Sequence, residues 1–418
     1  MAPPAVTPGE APSTAISARL ELGATGCALV GGFLAAAAGP LVTFGVLGAL
    51  LGIGLLAAAA YRPVFATYAY LATLPIVVGI DRGELLPLVR PNEALLALLL
   101  TGAILGGYLR YRRGATVPFR LHRLDALLVV FVLLATAWPL MVRGQLPAIT
   151  DVVAVLPIVT LLAVYLLVRF TVGTEAHLLC CLRLIVWPGA VIAIVQMLQL
   201  GPVPAFPIAT GGYLMICLVL VLCCGAYGLL HRRERLVLGL ALATGVLATG
   251  QVLTWIAAAV AGALILGRFP ELRPAAVRLL WFVPVAVAVG ALARIGGPES
   301  FADLGLWDNL SNVHIPEFGL LWIGGPALLA AFGWLSVAVL RRTRERVGQP
   351  GALGATAAAL QVCLWFLLVL VVLDPHLTLR ATGDLLLIML AITAGRLPVK
   401  HEPVEPAPGD RLGTSSPL

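Results

Sequence analysis

Apolar blocks about twenty residues long follow one another along almost the whole chain, and this repetition limits the fold more than any single motif. A bilayer core of about 30 Å is crossed by roughly 20 helical residues. The blocks cover about 24–39, 41–60, 64–80, 93–109, 124–141, 150–168, 177–199, 212–230, 236–249, 251–267, 279–293, 318–340, 357–373 and 384–397. Lipid cannot satisfy backbone N–H and C=O groups, so such blocks must be helices or strands of a closed barrel. Barrel strands would alternate apolar and polar residues, and these blocks do not. The expected fold is all-α, a polytopic membrane protein with about 12–14 transmembrane helices over 24–397. Pro-rich stretches at 1–23 and 398–418 read as disordered cytoplasmic tails. A hydrophobic content of 60%, only 11% charge and a mean hydropathy of +1.01 exclude an ordinary soluble fold.

Charge placement predicts the orientation. With the N-terminus in the cytosol, only Arg82, Arg90, Arg143, Arg294 and Arg380 of the 27 Arg and Lys fall outside, and Arg183 falls within a span. The remaining 21 lie inside, concentrated in connectors such as 110–123, 232–235, 268–278 and 341–346. That asymmetry follows the positive-inside rule and predicts a multi-pass protein of the cytoplasmic membrane. The net charge of +7 then belongs to connectors facing anionic headgroups, not to nucleic-acid binding. The same logic divides 236–267, whose 32 apolar positions would make one helix of about 48 Å. Basic clusters at both of its ends require the same side, so two short helices turning near Gly250 and Gln251 are expected. Gly39-Pro40 invites a similar division of 24–60. Residues 1–23 lack the basic n-region of a cleavable signal.

Chemistry is mostly excluded. There is no phosphate-binding glycine loop, no dinucleotide fingerprint, no HExxH and no G-x-S-x-G. His314 and His376 have no ligand partner at helical spacing, so no metal and no cofactor is expected. All seven Cys lie in apolar blocks and imply no disulfide framework. Arg183 reads as a side chain snorkelling from the inner end of its span. The span midplanes carry almost no other ionisable group, which counts against ion-coupled transport.

Polar groups concentrate instead at the predicted outer face. The stretch 294–322 alone carries four carboxylates, two Asn, one His and one Arg, and its loop 294–317 is the main outer loop. Asp81, Arg82, Glu84, Arg90 and Glu93 flank a second outer loop, and Arg143 and Asp151 a third. Asp374, His376, Arg380 and Asp384 belong to the last. Outward Arg residues run against the charge trend, and an anionic ligand would explain them, because guanidinium groups bind phosphate oxygens bidentately. Solvated loop charge explains any one of them equally well.

The segment WDNLSNVHIPEFGLLW at 307–322 resembles the signature of the O-antigen ligase and O-antigen polymerase superfamily. That signature is His-Asn, nine residues, then Gly at the head of a helix, with an acidic residue two positions before the Gly. Here Asp308-Asn309 precedes Gly319 by the same interval, with Glu317 in the acidic position. The stretches 89–100, 123–138 and 164–201 are similar to the family's early and middle spans. Two departures stand out: Asp308 replaces the ligases' His, and Thr249 to Thr254 lack the Arg of a common Ser-Arg-Gly turn.

The resemblance implies a glycosyltransferase that moves a glycan from an undecaprenyl-pyrophosphate carrier to an acceptor hydroxyl at the outer face. Its partners would be that donor, a glycan or lipid acceptor and the membrane lipids. Asp308 would be the base or acceptor-orienting group, with Asn309 and Glu317 shaping the loop. Arg294, Arg82, Arg90 and Arg380 would bind the pyrophosphate, so no metal is required. Asp308 also fits a turn or cap residue, and Glu317 fits equally well as a complement to a helix N-terminus. The two departures keep open a non-catalytic relative that binds polyprenyl glycan or scaffolds an envelope-polysaccharide assembly. A transporter is the weakest alternative.

Overall fold

A computed structural model describes residues 39–78, 80, 89–114, 122–142, 149–198, 211–248, 316–373 and 382–395, with isolated helical positions between 259 and 277. The described residues form helices and no strand. In chain order these are α1 (Gly39–Tyr61), α2 (Pro63–Val77), α3 (Pro91–Arg112), α4 (Arg123–Val142), α5 (Ile149–Thr171) and α6 (Glu175–Leu198). They continue with α7 (Gly211–Ala226), α8 (Arg232–Ala248), α9 (Pro316–Val347), α10 (Gly351–Leu373) and α11 (Thr382–Ala394). Within α3, α6 and α10 lie three segments long and apolar enough to cross a membrane.

Proline and glycine mark several boundaries. Arg62 alone separates α1 from α2, and Pro63 supplies the fixed φ that suits a first helical position. Pro91 opens α3 in the same way. The sequence reading takes 318–340 as one span, but the chain breaks within it at Gly325. That residue has φ 64° and ψ −167°, and Pro326, which follows, lacks an N–H for the helix ladder. Glu317 therefore belongs to a short leading helix, separate from the long arm that starts at Pro326.

α7 and α11 form the centre and are buried along nearly their whole lengths. α10 packs against both, and α5, α6, α8 and α9 surround them. α11 has 13 residues, only about 20 Å. The sequence marks this block as short for a crossing, and its burial among other helices removes the need for full lipid-facing length. The surrounding helices expose Leu51, Ile104, Leu133 and Trp334, an apolar surface of the sort that a membrane covers. Arg183 lies on the exposed side of α6, one turn from the exposed Trp187, consistent with the expected snorkelling.

α3 approaches α1 closely through Gly102 and Gly106, four residues apart and on one helix face. A Cβ on Gly102 would lie 2.7 Å from the Ala59 Cβ, and one on Gly106 would overlap the Ala60 carbonyl. This small-xxx-small arrangement lets two backbones meet, which is how apolar helices gain packing where no hydrophobic effect separates them from lipid.

The basic ends of the helices gather at one end of the bundle. Arg110 at the end of α3 donates Nη2 to the carbonyl oxygen of Tyr61 at the end of α1, 2.7 Å. Arg169 at the end of α5 pairs with Asp125 at the start of α4. Arg346 at the end of α9 donates Nη2 to the Gly395 carbonyl oxygen just after α11, 3.3 Å. Arg235 in the first turn of α8 donates to the Gly225 carbonyl near the end of α7, 3.3 Å. Among the described residues, basic helix ends assigned to one side on charge alone are thus neighbours in space.

Candidate functional site

Two buried polar clusters occupy opposite ends of the described bundle. The first joins α2, α3 and α11. Pro91 starts α3 and brings Asn92 and Glu93 into its first turn, where both are buried. Glu93 turns back and accepts a hydrogen bond from the Arg90 backbone N–H through Oε2, 2.9 Å, closing the helix entrance. Asp384, in the first turn of α11, is also buried. Tyr70, midway along α2 and fully enclosed, donates its hydroxyl to Asp384 Oδ1 at 3.1 Å. The same hydroxyl interacts with the Asn92 side chain and feels the Glu93 charge.

This first cluster is recessed. Seven residues, or about 10 Å of helix, separate Tyr70 from the end of α2. One buried acceptor in it, Asn92 Oδ1, stays unused among the described residues. Leaving buried polar atoms unpaired costs about 1–3 kcal/mol each, so such atoms suit a hydroxyl-bearing ligand or water. Two carboxylates, an amide and a hydroxyl can orient hydroxyl groups and accept a proton. Among the described residues no three His, Cys, Asp or Glu side chains gather as metal ligands.

The second cluster lies among the basic helix ends. Asp125 accepts from Arg169 Nε at 3.1 Å and from Arg169 Nη2 at 3.0 Å. It also accepts from the Tyr165 hydroxyl and from the His122 backbone N–H, the latter at 2.6 Å. Every oxygen of the carboxylate is engaged, so this cluster ties α4 to α5 and offers no free acceptor for chemistry.

Several expected site residues can be placed against this frame. Arg90 and Glu93 stand at the entrance of α3, and Asp384 joins them through Tyr70, so two of the flanking sets proposed from sequence meet. Glu317 falls in the first turn of the leading part of α9. Asp308, Asn309, Arg294, Arg82 and Arg380 lie outside the described residues, as does the 249–254 turn. Tyr70 and Asn92 escape a sequence reading, since Tyr70 sits in an apolar block and Asn92 beside Pro91 reads as a helix-start residue. Asp125 had one usable signal: a carboxylate inside an apolar block demands a partner.

The chain matches no family model, no curated protein and no solved structure.

Proposed function

We propose that the chain is a polytopic membrane glycosyltransferase of the O-antigen ligase and polymerase type. In this reading a glycan passes from a polyprenyl-pyrophosphate carrier to an acceptor hydroxyl at the face opposite the basic connectors. The observation that carries the reading is the recessed cluster of Tyr70, Asn92, Glu93 and Asp384, with its unused acceptor at Asn92. A buried cluster of acceptors at the end of the bundle away from the Arg-rich connectors suits a hydroxyl-rich ligand better than an ion. The motif residues add the chemistry. The acceptor oxygen attacks the anomeric carbon, the bond from that carbon to the pyrophosphate oxygen breaks, and Asp308 takes the hydroxyl proton. The departing pyrophosphate carries the negative charge, which Arg294, Arg82, Arg90 and Arg380 are suited to stabilise.

The test is transfer by the protein reconstituted with a defined polyprenyl-pyrophosphate oligosaccharide and a hydroxyl acceptor. Asp308→Ala and Arg294→Ala are each expected to lower transfer at least about a hundredfold. Undiminished transfer in both variants removes this reading. A second reading follows from the departures at Asp308 and at 249–254. It is a non-catalytic relative that holds the lipid-linked glycan, and it predicts retention of the oligosaccharide without turnover in the same vesicles.

A further inference from the structure

The end of the bundle opposite the recessed cluster contains a cavity of about 920 Å³ that the proposed transfer does not use. Its rim is cationic and aromatic: Arg62 opens α2, Arg110 and Tyr111 end α3, and His177 begins α6. Its floor is the apolar face of α3, where Leu100, Ile104 and Gly107 lie. No carboxylate lines it among the described residues. Arg110 uses one N–H on the Tyr61 carbonyl, and a guanidinium has four more to offer. His177 packs nearly perpendicular to the Tyr68 ring, and its Nδ1 is buried with no partner among the described residues.

We propose that this cavity is a binding site for an anionic glycerophospholipid of the leaflet bordering the basic connectors. The inference rests on the membrane reading above and not on catalysis at the opposite end. Charge complementarity selects the headgroup: two guanidinium groups and an imidazole surround a space with no compensating carboxylate, which suits a phosphate diester. The apolar floor selects the rest of the molecule. Ile104 is 58% exposed in the cavity wall, and an acyl chain covers such a surface where a free phosphate cannot. The positive-inside rule assigns this end to the cytosolic leaflet, whose anionic lipids attract basic residues. The volume accommodates a headgroup and the upper part of its chains. The lipid then wedges between the starts of α2 and α6 and the end of α3, bracing the end of the bundle where α1 and α2 meet.

Native mass spectrometry of the full chain, exchanged from detergent in the presence of phosphatidylglycerol or phosphatidylcholine, tests this directly. Retention of phosphatidylglycerol over phosphatidylcholine is expected, and Arg62→Gln with Arg110→Gln together should weaken it about thirtyfold. Gly107→Leu provides a second variant that does not threaten the fold, since a Cβ there meets nothing within 4 Å and Leu favours the helix. It should block the cavity and lower phosphatidylglycerol retention while leaving the thermal midpoint in lipid-free detergent unchanged. Arg341→Gln with Arg344→Gln, basic residues off the cavity, should leave retention unaltered. Equal retention of the two lipids, or equal loss in the Arg341 and Arg344 control, overturns the proposal. Displacement of phosphatidylglycerol by equimolar inorganic phosphate also overturns it, because the site would then recognise phosphate alone. Binding seen only after removal of residues 398–418 overturns it too, with that C-terminal segment as the occupant.

Discussion

Arg169 reaches Asp125 through two of its nitrogens, at 3.1 and 3.0 Å, across 44 positions of sequence and almost wholly out of contact with solvent. Side-chain exposures of 8% and 3% mean that neither charge has water to fall back on. Removing one member leaves the other's buried charge without this counter-ion. Asp125→Leu and Arg169→Leu are each expected to destabilise the bundle by about 3–5 kcal/mol, while the two substitutions together should cost clearly less than the sum of the singles. Detergent unfolding of the two single variants and the double variant measures that coupling. Additive losses would mean that the pair contributes nothing as a pair.

Tyr70 and Asp384 present a smaller and more local dependence. Tyr70→Phe removes the hydroxyl, with its hydrogen bond to Asp384 and its interaction with Asn92, and leaves the ring in place. Buried bonds between membrane helices average about 0.6 kcal/mol, with a maximum of about 1.7, so a modest loss of stability is expected. Asp384→Leu should cost more, because it disturbs the first turn of a helix buried along nearly its whole length. If the recessed cluster binds glycan, Asn92→Ala should weaken donor binding while leaving the unfolding free energy within about 1 kcal/mol of the parent. A donor affinity unaffected by Asn92→Ala would detach this cluster from the proposed site.

The contact of α1 with α3 depends on the absence of side chains. Any Cβ at Gly106 meets the Ala60 carbonyl oxygen, a backbone atom that cannot swing aside. Gly106→Leu should therefore separate the two helices and destabilise the protein by about 1–3 kcal/mol or more, in line with overpacking elsewhere. Gly107→Leu, one residue on, faces open space and should not. Disulfide trapping between cysteines placed on the facing α1 and α3 backbones would report the separation as a lost cross-link. An equal response of the two glycine variants would show that helix propensity and not close approach governs the site.

Much of the helix order was legible because lipid-compatible blocks announce themselves by hydropathy. The expected 124–141 and 150–168 correspond to α4 at Arg123–Val142 and α5 at Ile149–Thr171. The misses have physical causes. α10 begins at Gly351, ahead of the expected 357, because its first turns are small residues packed against protein, a surface that hydropathy does not mark. α8 starts at Arg232, since charged residues can form the first turn of a helix that hydropathy counts only from its apolar part. The break at Gly325 needed attention to Gly-Pro inside an apolar run. Of the site, the polar rims were visible as charges near block ends, and Arg90, Glu93 and Asp384 do gather. Tyr70 was not visible, since an aromatic in a span looks the same whether its hydroxyl is satisfied by a carboxylate or not.

Sidedness decides whether the proposed chemistry is possible at all. The basic ends of α3, α5 and α9 lie together with Arg235 of α8 at one end of the bundle, so one face is consistently cationic. If that face is cytosolic, the segment ahead of α9 emerges on the other side, where polyprenyl-linked glycans meet their acceptors. A cysteine replacing Ser311 in a chain freed of its native cysteines should react with a membrane-impermeant maleimide in intact cells. A cysteine replacing Arg113, after the end of α3, should react only once the membrane is opened. Labelling of position 311 solely after permeabilisation would reverse the orientation and leave Asp308 and Arg294 on the side where the lipid-linked donor is not presented.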